Sequence, residues 1–246
     1  MKLPCRILGA AATLALGACA EVPTDPAALA DYETVNDPAE PTNRVIFSAN
    51  YFIDRNLLQP VARAYTDYIP EEARQPVHKF ISNIGEPIVL VNDLLQGNTD
   101  KAWTTTQRFA VNSTVGAGGL FDPASDWGLD YHTADFGQTF GVWGIGTGPT
   151  VQLPLFGFSN LRDTVGLALN SLADPMTLFP GTAIPIAIGG LAMIDSRAGA
   201  LPLTDDLERS SLDYYASLRS VVATKRAELV EQGRSDEPSS IQRRGE

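Results

Sequence analysis

Residues able to carry proton or metal chemistry are few. The chain of 246 residues holds two histidines, His78 and His132, and two cysteines, Cys5 and Cys19. Two isolated histidines do not make a metal cluster. His132 stands three residues before Asp135, a spacing that suggests an acid–base dyad. The nucleophile such a dyad would serve is missing: no G-x-S-x-G occurs, and Gly157-Phe158-Ser159 lacks the closing glycine. Gly144-Ile145-Gly146-Thr147-Gly148 is not G-x-G-x-x-G, and there is no P-loop. His78 falls within a helical pattern and reads as a surface or core histidine. The carboxylates Glu40, Glu86, Asp93 and Asp122 sit beside Pro, Gly or Asn, where helix capping and turn formation account for them. No catalytic residue, metal or cofactor is expected, and the chain does not read as an enzyme.

One cysteine does have a chemical assignment. Lys2 and Arg6 begin the chain, and Ile7 to Leu16 is an apolar run too short for the roughly 20 residues of a membrane span. Leu16-Gly17-Ala18-Cys19 follows. A basic start, a short apolar core and small residues describe a secretory signal peptide over residues 1–18. The ending resembles the bacterial lipobox, in which the Cys becomes the acylated first residue; a plain signal peptide with an incidental Cys is the alternative. Cys5 leaves with the signal, so a mature chain anchored through Cys19 has no free thiol and no disulfide and must stand on its core. Ala20 rather than Asp after Cys19 points to the outer membrane, with the chain held at the periplasmic leaflet by several acyl chains. Removing Lys2 and Arg6 takes the formal charge from −11 to about −13. Such a chain is repelled by phosphate backbones, which excludes nucleic acid as a partner, and by anionic headgroups. Membrane contact must come from acyl chains and apolar surface.

The elements that would position any site are organised around Asp135 to Phe158, DFGQTFGVWGIGTGPTVQLPLFGF. Glycines recur there among large apolar groups, although glycine costs a helix or strand interior roughly 1 kcal/mol relative to Ala. Close backbone approach, bends or mobility would each justify them. A buried Gly-Pro loop is one reading. The other is a hinge or the lining of an apolar cavity, with Gly137, Phe140, Gly141, Trp143, Gly144 and Gly146 as its residues.

Around this stretch the chain reads as helices punctuated by Pro and Gly. Residues 19–36 form a Pro-, Ala- and Asp-rich tether. A helical region opens at Asp37-Pro38 or Pro41-Thr42, with Ile46, Ala49, Phe52 or Ile53, and Leu57 at helical spacing. Pro60 and Pro70 can begin new helices. Val77, Phe80, Ile81 and Ile84 continue the period up to a break at Gly85-Glu86-Pro87, and Ile88 to Leu95 adds a further apolar turn or two. Asn98 or Thr99 can cap a helix with Trp103, Thr106, Phe109 or Ala110, and Ser113 on one face, ended by Gly116 to Gly119. Ser159 can cap another, to about Leu172. Pro175 to Ile194 carries no charge, but Pro180, Gly181, Pro185, Gly189 and Gly190 interrupt it, so it is expected to dip into a leaflet and return. Thr204 to about Gln232 reads as one helix, with Leu207, Ser211, Tyr214, Leu218 and Val221 on a face. Residues 233–246 are polar and read as a disordered tail. Residues 37–232 thus form one helical domain.

Several motifs, in order, resemble the MlaA (VacJ) family of outer-membrane lipoproteins. They are Asp37-Pro38-Ala39-Glu40-Pro41-Thr42-Asn43-Arg44, Asn83-Ile84-Gly85-Glu86-Pro87, Val91 to Gly97, Arg108 to Thr114, Gly118 to Ala124, Asp135 to Gly144, Leu153 to Gly157, Leu161-Arg162-Asp163 and Ile194 to Ala198. Thr42 and Thr147-Gly148 depart from the pattern expected there. The resemblance implies an all-α, ring-like bundle of short amphipathic helices lying in one membrane leaflet around a lipid channel. It further implies removal of mislocalised phospholipid from the outer leaflet of the outer membrane, transfer to a periplasmic carrier resembling MlaC, and association with a trimeric porin. Two other classes stand beside it: a membrane-anchored lipid or cell-wall hydrolase, and a structural lipoprotein that moves nothing.

Overall fold

Pro41 in its first turn starts the first helix, α1, Glu40–Ile53, of a computed structural model that describes residues 36–179 and 181–234. Cys19, the signal region, the tether up to residue 35 and residues 235–246 of the tail lie outside the described residues; Gly233 and Arg234, read as the start of that tail, instead end the last helix. A π-helical turn, Asp54–Leu58, carries α1 into α2, Gln59–Tyr68, without the break expected at Pro60. Proline is tolerated in a first turn, where its N–H has no helical partner to lose. Pro70 does interrupt the chain, and α3, Glu71–Leu95, follows it.

α3 runs through Gly85-Glu86-Pro87, where the sequence predicts a break. Its partner keeps it whole. Asn98 caps α4, Thr99–Thr114, by accepting from the Lys101 N–H, and the short link Gln96–Asn98 returns α4 alongside α3. Asn83, Glu86, Val89, Asn92 and Asp93 of α3 are buried, as are Ala102, Thr105, Arg108 and Asn112 of α4. Polar bonds across this pair outweigh the single backbone bond that Pro87 forfeits. Gly118 and Gly119 close α4 at positive φ, and Asp122 then caps the one-turn α5, Pro123–Asp126.

The glycine-rich stretch is an ordered sequence of elements. Asp135 caps α6, Phe136–Val142, and two strands follow, β1 Thr150–Leu153 and β2 Gly157–Asn160. They pair antiparallel with Thr150 opposite Asn160 and Leu153 opposite Gly157. This hairpin was missed in the sequence, although Thr150-Val151-Gln152-Leu153 alternates and Pro154 to Gly157 is turn chemistry. Asn160, not Ser159, caps α7, Leu161–Ala173. A 3₁₀ turn, Pro175–Leu178, precedes α8, Ile184–Ser210. Pro185, Gly189 and Gly190 do not interrupt α8, so any reversal of the chain falls before Ile184. The helix expected from Thr204 to Gln232 is two helices. Ser211-Leu212-Asp213 separates α8 from α9, Tyr214–Arg234, because the Asp213 carboxylate accepts from the Ala216 N–H and from Arg44.

The body is mostly helical, and its polarity is inverted. Among the described residues nine apolar side chains are buried, five of them alanine, against fifteen polar or charged ones. Trp103 is 64 % exposed and Phe109 40 %, so the α4 face that carries them turns outward and the face with Ala102, Thr105, Arg108 and Asn112 packs. Val91, Leu94 and Leu95 on α3, Phe52 and Leu57 around α1, and Ile184 and Ile186 on α8 are exposed as well. A water-soluble domain keeps such patches small. Surrounded by hydrocarbon, the arrangement is the stable one, since buried polar groups must then find each other.

Candidate functional site

A cavity of about 580 Å³ opens between the hairpin, α7 and α9, with Asp135 at the cap of α6 on its edge. α9 gives it one helical face: Arg219, Val222, Ala223, Arg226, Ala227, Val230, Glu231 and Arg234 all line it, at three- and four-residue steps. The hairpin adds Thr150, Leu153, Phe156 and Phe158, and α7 adds Arg162, Asp163, Leu167 and Asn170. Four arginines and three carboxylates therefore face the same space as an apolar wall.

The charges are wired into a chain. Arg226 donates to Asp135 at 2.6 and 3.0 Å and to Asp163 at 2.9 Å. Burial works against its charge, but the bonds to Asp135 and Asp163 outweigh it and hold the guanidinium protonated. Arg162 Nε donates to Asp163 at 2.8 Å. Burial would raise the Asp163 carboxyl, yet Arg162 and Arg226 bring it below the usual carboxylate range. Arg219 donates to Asp37 at 2.8 Å, and the Tyr215 hydroxyl donates to the same carboxylate at 2.5 Å, so Asp37 belongs to the folded body. Arg234 donates to the Gly141 carbonyl at 2.9 Å. Guanidinium groups suit phosphate because they form bidentate bonds and remain charged when partly desolvated.

The six residues read as a hinge or channel lining are not on this cavity's lining. Gly137 and Gly141 are helical and buried, and they pack against residues that do line it. A Cβ on Gly137 would stand 2.7 Å from Asp163 Oδ1 and 2.9 Å from Arg226, and one on Gly141 2.6 Å from Val230. Their role in the fold is close helix approach. Gly166 of α7 completes it, with its Cβ position 2.3 Å from the Gly137 nitrogen. Small residues let helices meet in this way where packing must do the work of association. Phe140 meets Trp143 at a tilt, ring centroids 5.8 Å apart, and the half-exposed Trp143 donates from Nε1 to the Leu95 carbonyl at 2.9 Å. Gly144 sits at φ +85°, with open space around both it and Gly146.

The histidines are accounted for by packing. His132 Nε2 lies 2.9 Å from both oxygens of the fully buried Asp93, which also accepts from Thr105 at 2.7 Å. His132 and Asp135, three residues apart, serve different networks, and Asp93 is the histidine's true partner. Sequence spacing could not show this, because Asp93 arrives from α3. His78 pairs with Asp195 at 2.8 Å. Among the described residues no three His, Cys, Asp or Glu side chains gather as a metal site requires. The arginines, by contrast, were not singled out in the sequence; their spacing on α9 was the available signal.

A family model, MlaA lipoprotein, matches residues 35–229. The chain belongs to the MlaA lipoprotein family. Among MlaA relatives, the "Intermembrane phospholipid transport system lipoprotein MlaA" of Escherichia coli K12 is 34 % identical over 226 residues, covering 89 % of this chain and 85 % of the relative. An uncharacterized protein of Rickettsia typhi is 34 % identical over 198 residues, covering 80 % and 79 % of the two chains. A chain solved for "Structural basis for maintenance of bacterial outer membrane lipid asymmetry" superposes with a TM-score of 0.70 at 33 % identity. That match covers 79 % of this chain and 98 % of the solved one.

Proposed function

We propose that this MlaA-family chain removes phospholipid from the outer leaflet of the outer membrane and passes it to a periplasmic carrier resembling MlaC, maintaining lipid asymmetry. The observation that carries the reading is a cavity with an arginine-bearing wall and an apolar wall, set in a body that exposes many large apolar side chains. A cavity of about 580 Å³ suits a headgroup and its glycerol but not a whole diacyl lipid, so the tails stay in contact with hydrocarbon. Arg219, Arg226 and Arg234 offer a phosphate successive sites along α9, each already balanced by a carboxylate or carbonyl, so that no single site holds the lipid for long. No bond is broken, and the protein is not an enzyme.

The body lies in one leaflet. α8 is the one described helix long and apolar enough to cross a membrane, yet only its first half is free of charge. From Asp195 onward it is bound to other elements: Asp195 accepts from Tyr65 at 3.3 Å, and Arg197 donates to Asp54 at 2.7 and 2.8 Å. The uncharged limb from Ile184 to Ile194 is about 16 Å long at 1.5 Å per residue, close to half of a roughly 30 Å hydrocarbon core. Acyl chains on Cys19 and a trimeric porin hold the body at the periplasmic leaflet, and the glycines after Trp143 serve as a hinge beside the path.

Purified protein tests the reading. Intact phospholipid bound in the cavity, captured by a photoreactive group at Leu167, supports it. Release of free fatty acid from added phospholipid would replace it with a hydrolase.

A further inference from the structure

Three asparagines seven residues apart meet one edge of the hairpin. The Asn36 carbonyl accepts from the Thr150 N–H at 2.8 Å, and its Nδ2 donates to the Gly148 carbonyl at 2.6 Å. Asn43 donates to the Thr150 carbonyl at 3.1 Å and accepts from the Gln152 N–H at 3.0 Å. Asn50 donates to the Leu153 carbonyl at 2.8 Å and accepts from the Leu155 N–H at 2.9 Å. The outer edge of β1 is thus paired at Asn43 and Asn50 with carboxamides that each copy the donor and acceptor of a peptide group, while Asn36 uses its backbone carbonyl as acceptor and its side chain as donor. From Asn43 to Asn50 the periods agree: seven helical residues rise about 10.5 Å and three strand residues about 10 Å, so α1 and β1 step together, with Asn36 just ahead of α1.

The ladder governs a weak element. Two paired strands of four residues are marginal by themselves. The tip is strained, with Leu155 at φ +67°, a region that L side chains disfavour. Leu155 and Phe156 are exposed there, while Leu153, Phe156 and Phe158 wall the cavity. The rungs also differ. Asn43 is buried and makes a further bond to Asp37 at 2.7 Å, whereas Asn50 is half-buried and holds only the tip.

We propose that Asn50 is a positioning residue for lipid passage: its carboxamide latches the hairpin tip, and its release lets Leu155 and Phe156 swing aside and open the cavity sideways to acyl chains. Asn43 and Asn36 keep the base of the hairpin in place. This rests on the reading of the cavity as the lipid path, and the test separates the two.

Full-length protein in vesicles of phosphatidylethanolamine and phosphatidylglycerol is compared as wild type, Asn50→Leu and Asn50→Asp. Amide exchange and lipid capture by a photoreactive group at Leu167 are both read. Asn50→Leu is expected to speed exchange at Leu155 about tenfold, the effect of losing one hydrogen bond. It should also raise lipid capture severalfold, with protection across α7 unchanged. Asn50→Asp keeps an acceptor for Leu155 but sets a carboxylate against the Leu153 carbonyl; it should raise capture at least twofold, and it decides the matter if Asn50→Leu disturbs α7. Unchanged Leu155 exchange, or faster exchange with unchanged lipid capture, overturns the latch. If wild type captures no lipid at Leu167, the cavity reading fails, and Leu155 exchange alone still tests whether Asn50 holds the tip.

Discussion

Replacing Glu86 by Gln should make the protein more stable at neutral pH, and the gain should vanish in acid. Glu86 is 2 % exposed and carries one charged partner, Arg108, whose Nε is 3.2 Å away. Arg108 is already committed elsewhere. It donates to Ser125 at 3.0 Å, to the Leu129 carbonyl at 2.6 Å and to both oxygens of Asp122 at 3.2 and 3.1 Å. Burial therefore wins over the attraction of Arg108 and pushes the Glu86 carboxyl from 4.5 up to about 7. In the unfolded chain the group ionises near its ordinary value. Its contribution to folding is then complete below pH 4.5 and is lost as pH rises to about 7. A shift of this size corresponds to roughly 3 kcal/mol. Glutamine keeps an uncharged acceptor for Arg108 Nε and removes the buried charge. Unfolding of wild type and Glu86→Gln, measured in one detergent from acid to mildly alkaline pH, cancels every other titrating group in the difference. The two should coincide near pH 4, and the variant should lead by roughly 3 kcal/mol at pH 8. A difference independent of pH, or a wild type that gains on the variant as pH rises, would refute the reasoning; the second result would make Glu86–Arg108 a favourable ion pair.

Four other outcomes are expected. Gly141→Val should lower stability by about 1–3 kcal/mol through overpacking against Val230, whereas Gly144→Val meets open space and only backbone strain; equal melting temperatures for the two would contradict this. Arg226→Met leaves Asp135 without its ion-pair partner and Asp163 with Arg162 alone, and should cost about 3 kcal/mol, read by thermal unfolding. His132→Ala should destabilise by about 1–3 kcal/mol by leaving the buried Asp93 short of a partner, yet keep lipid movement per folded molecule within a few-fold of normal; a loss of orders of magnitude in lipid movement would restore a catalytic histidine. Single cysteines at Ala173 and Ser210 should both react with a thiol reagent confined to the periplasm, and labelling from opposite sides would mean that α8 spans the membrane.

Features that depend on local chemistry alone were legible in the amino-acid order. Asn98 was legible as a cap of α4, because a side-chain oxygen three residues before an N–H acts within one turn; Asp122 and Asp135 cap α5 and α6 in the same way, but those two helices were not read from the sequence. The mostly helical class and the lack of a nucleophile motif were equally legible, and the ordered motifs led to the family. Which face of each helix turns inward was not legible. Periodicity reports that Trp103 and Phe109 share a face, but the solvent on the other side decides whether that face packs or meets lipid, and here it is exposed. Contacts between distant segments were invisible for the same reason. α3 survives Pro87 because Glu86 and Asp93 reach Arg108 and Thr105 on α4. The glycines of α6 are close-packed because Gly166 and Val230 arrive from α7 and α9. The hairpin keeps its place because asparagines more than a hundred residues earlier pair with its edge. The cavity exists only where α9, α7 and the hairpin converge. Each of these depends on long-range placement, which local propensity does not encode and tertiary packing alone supplies.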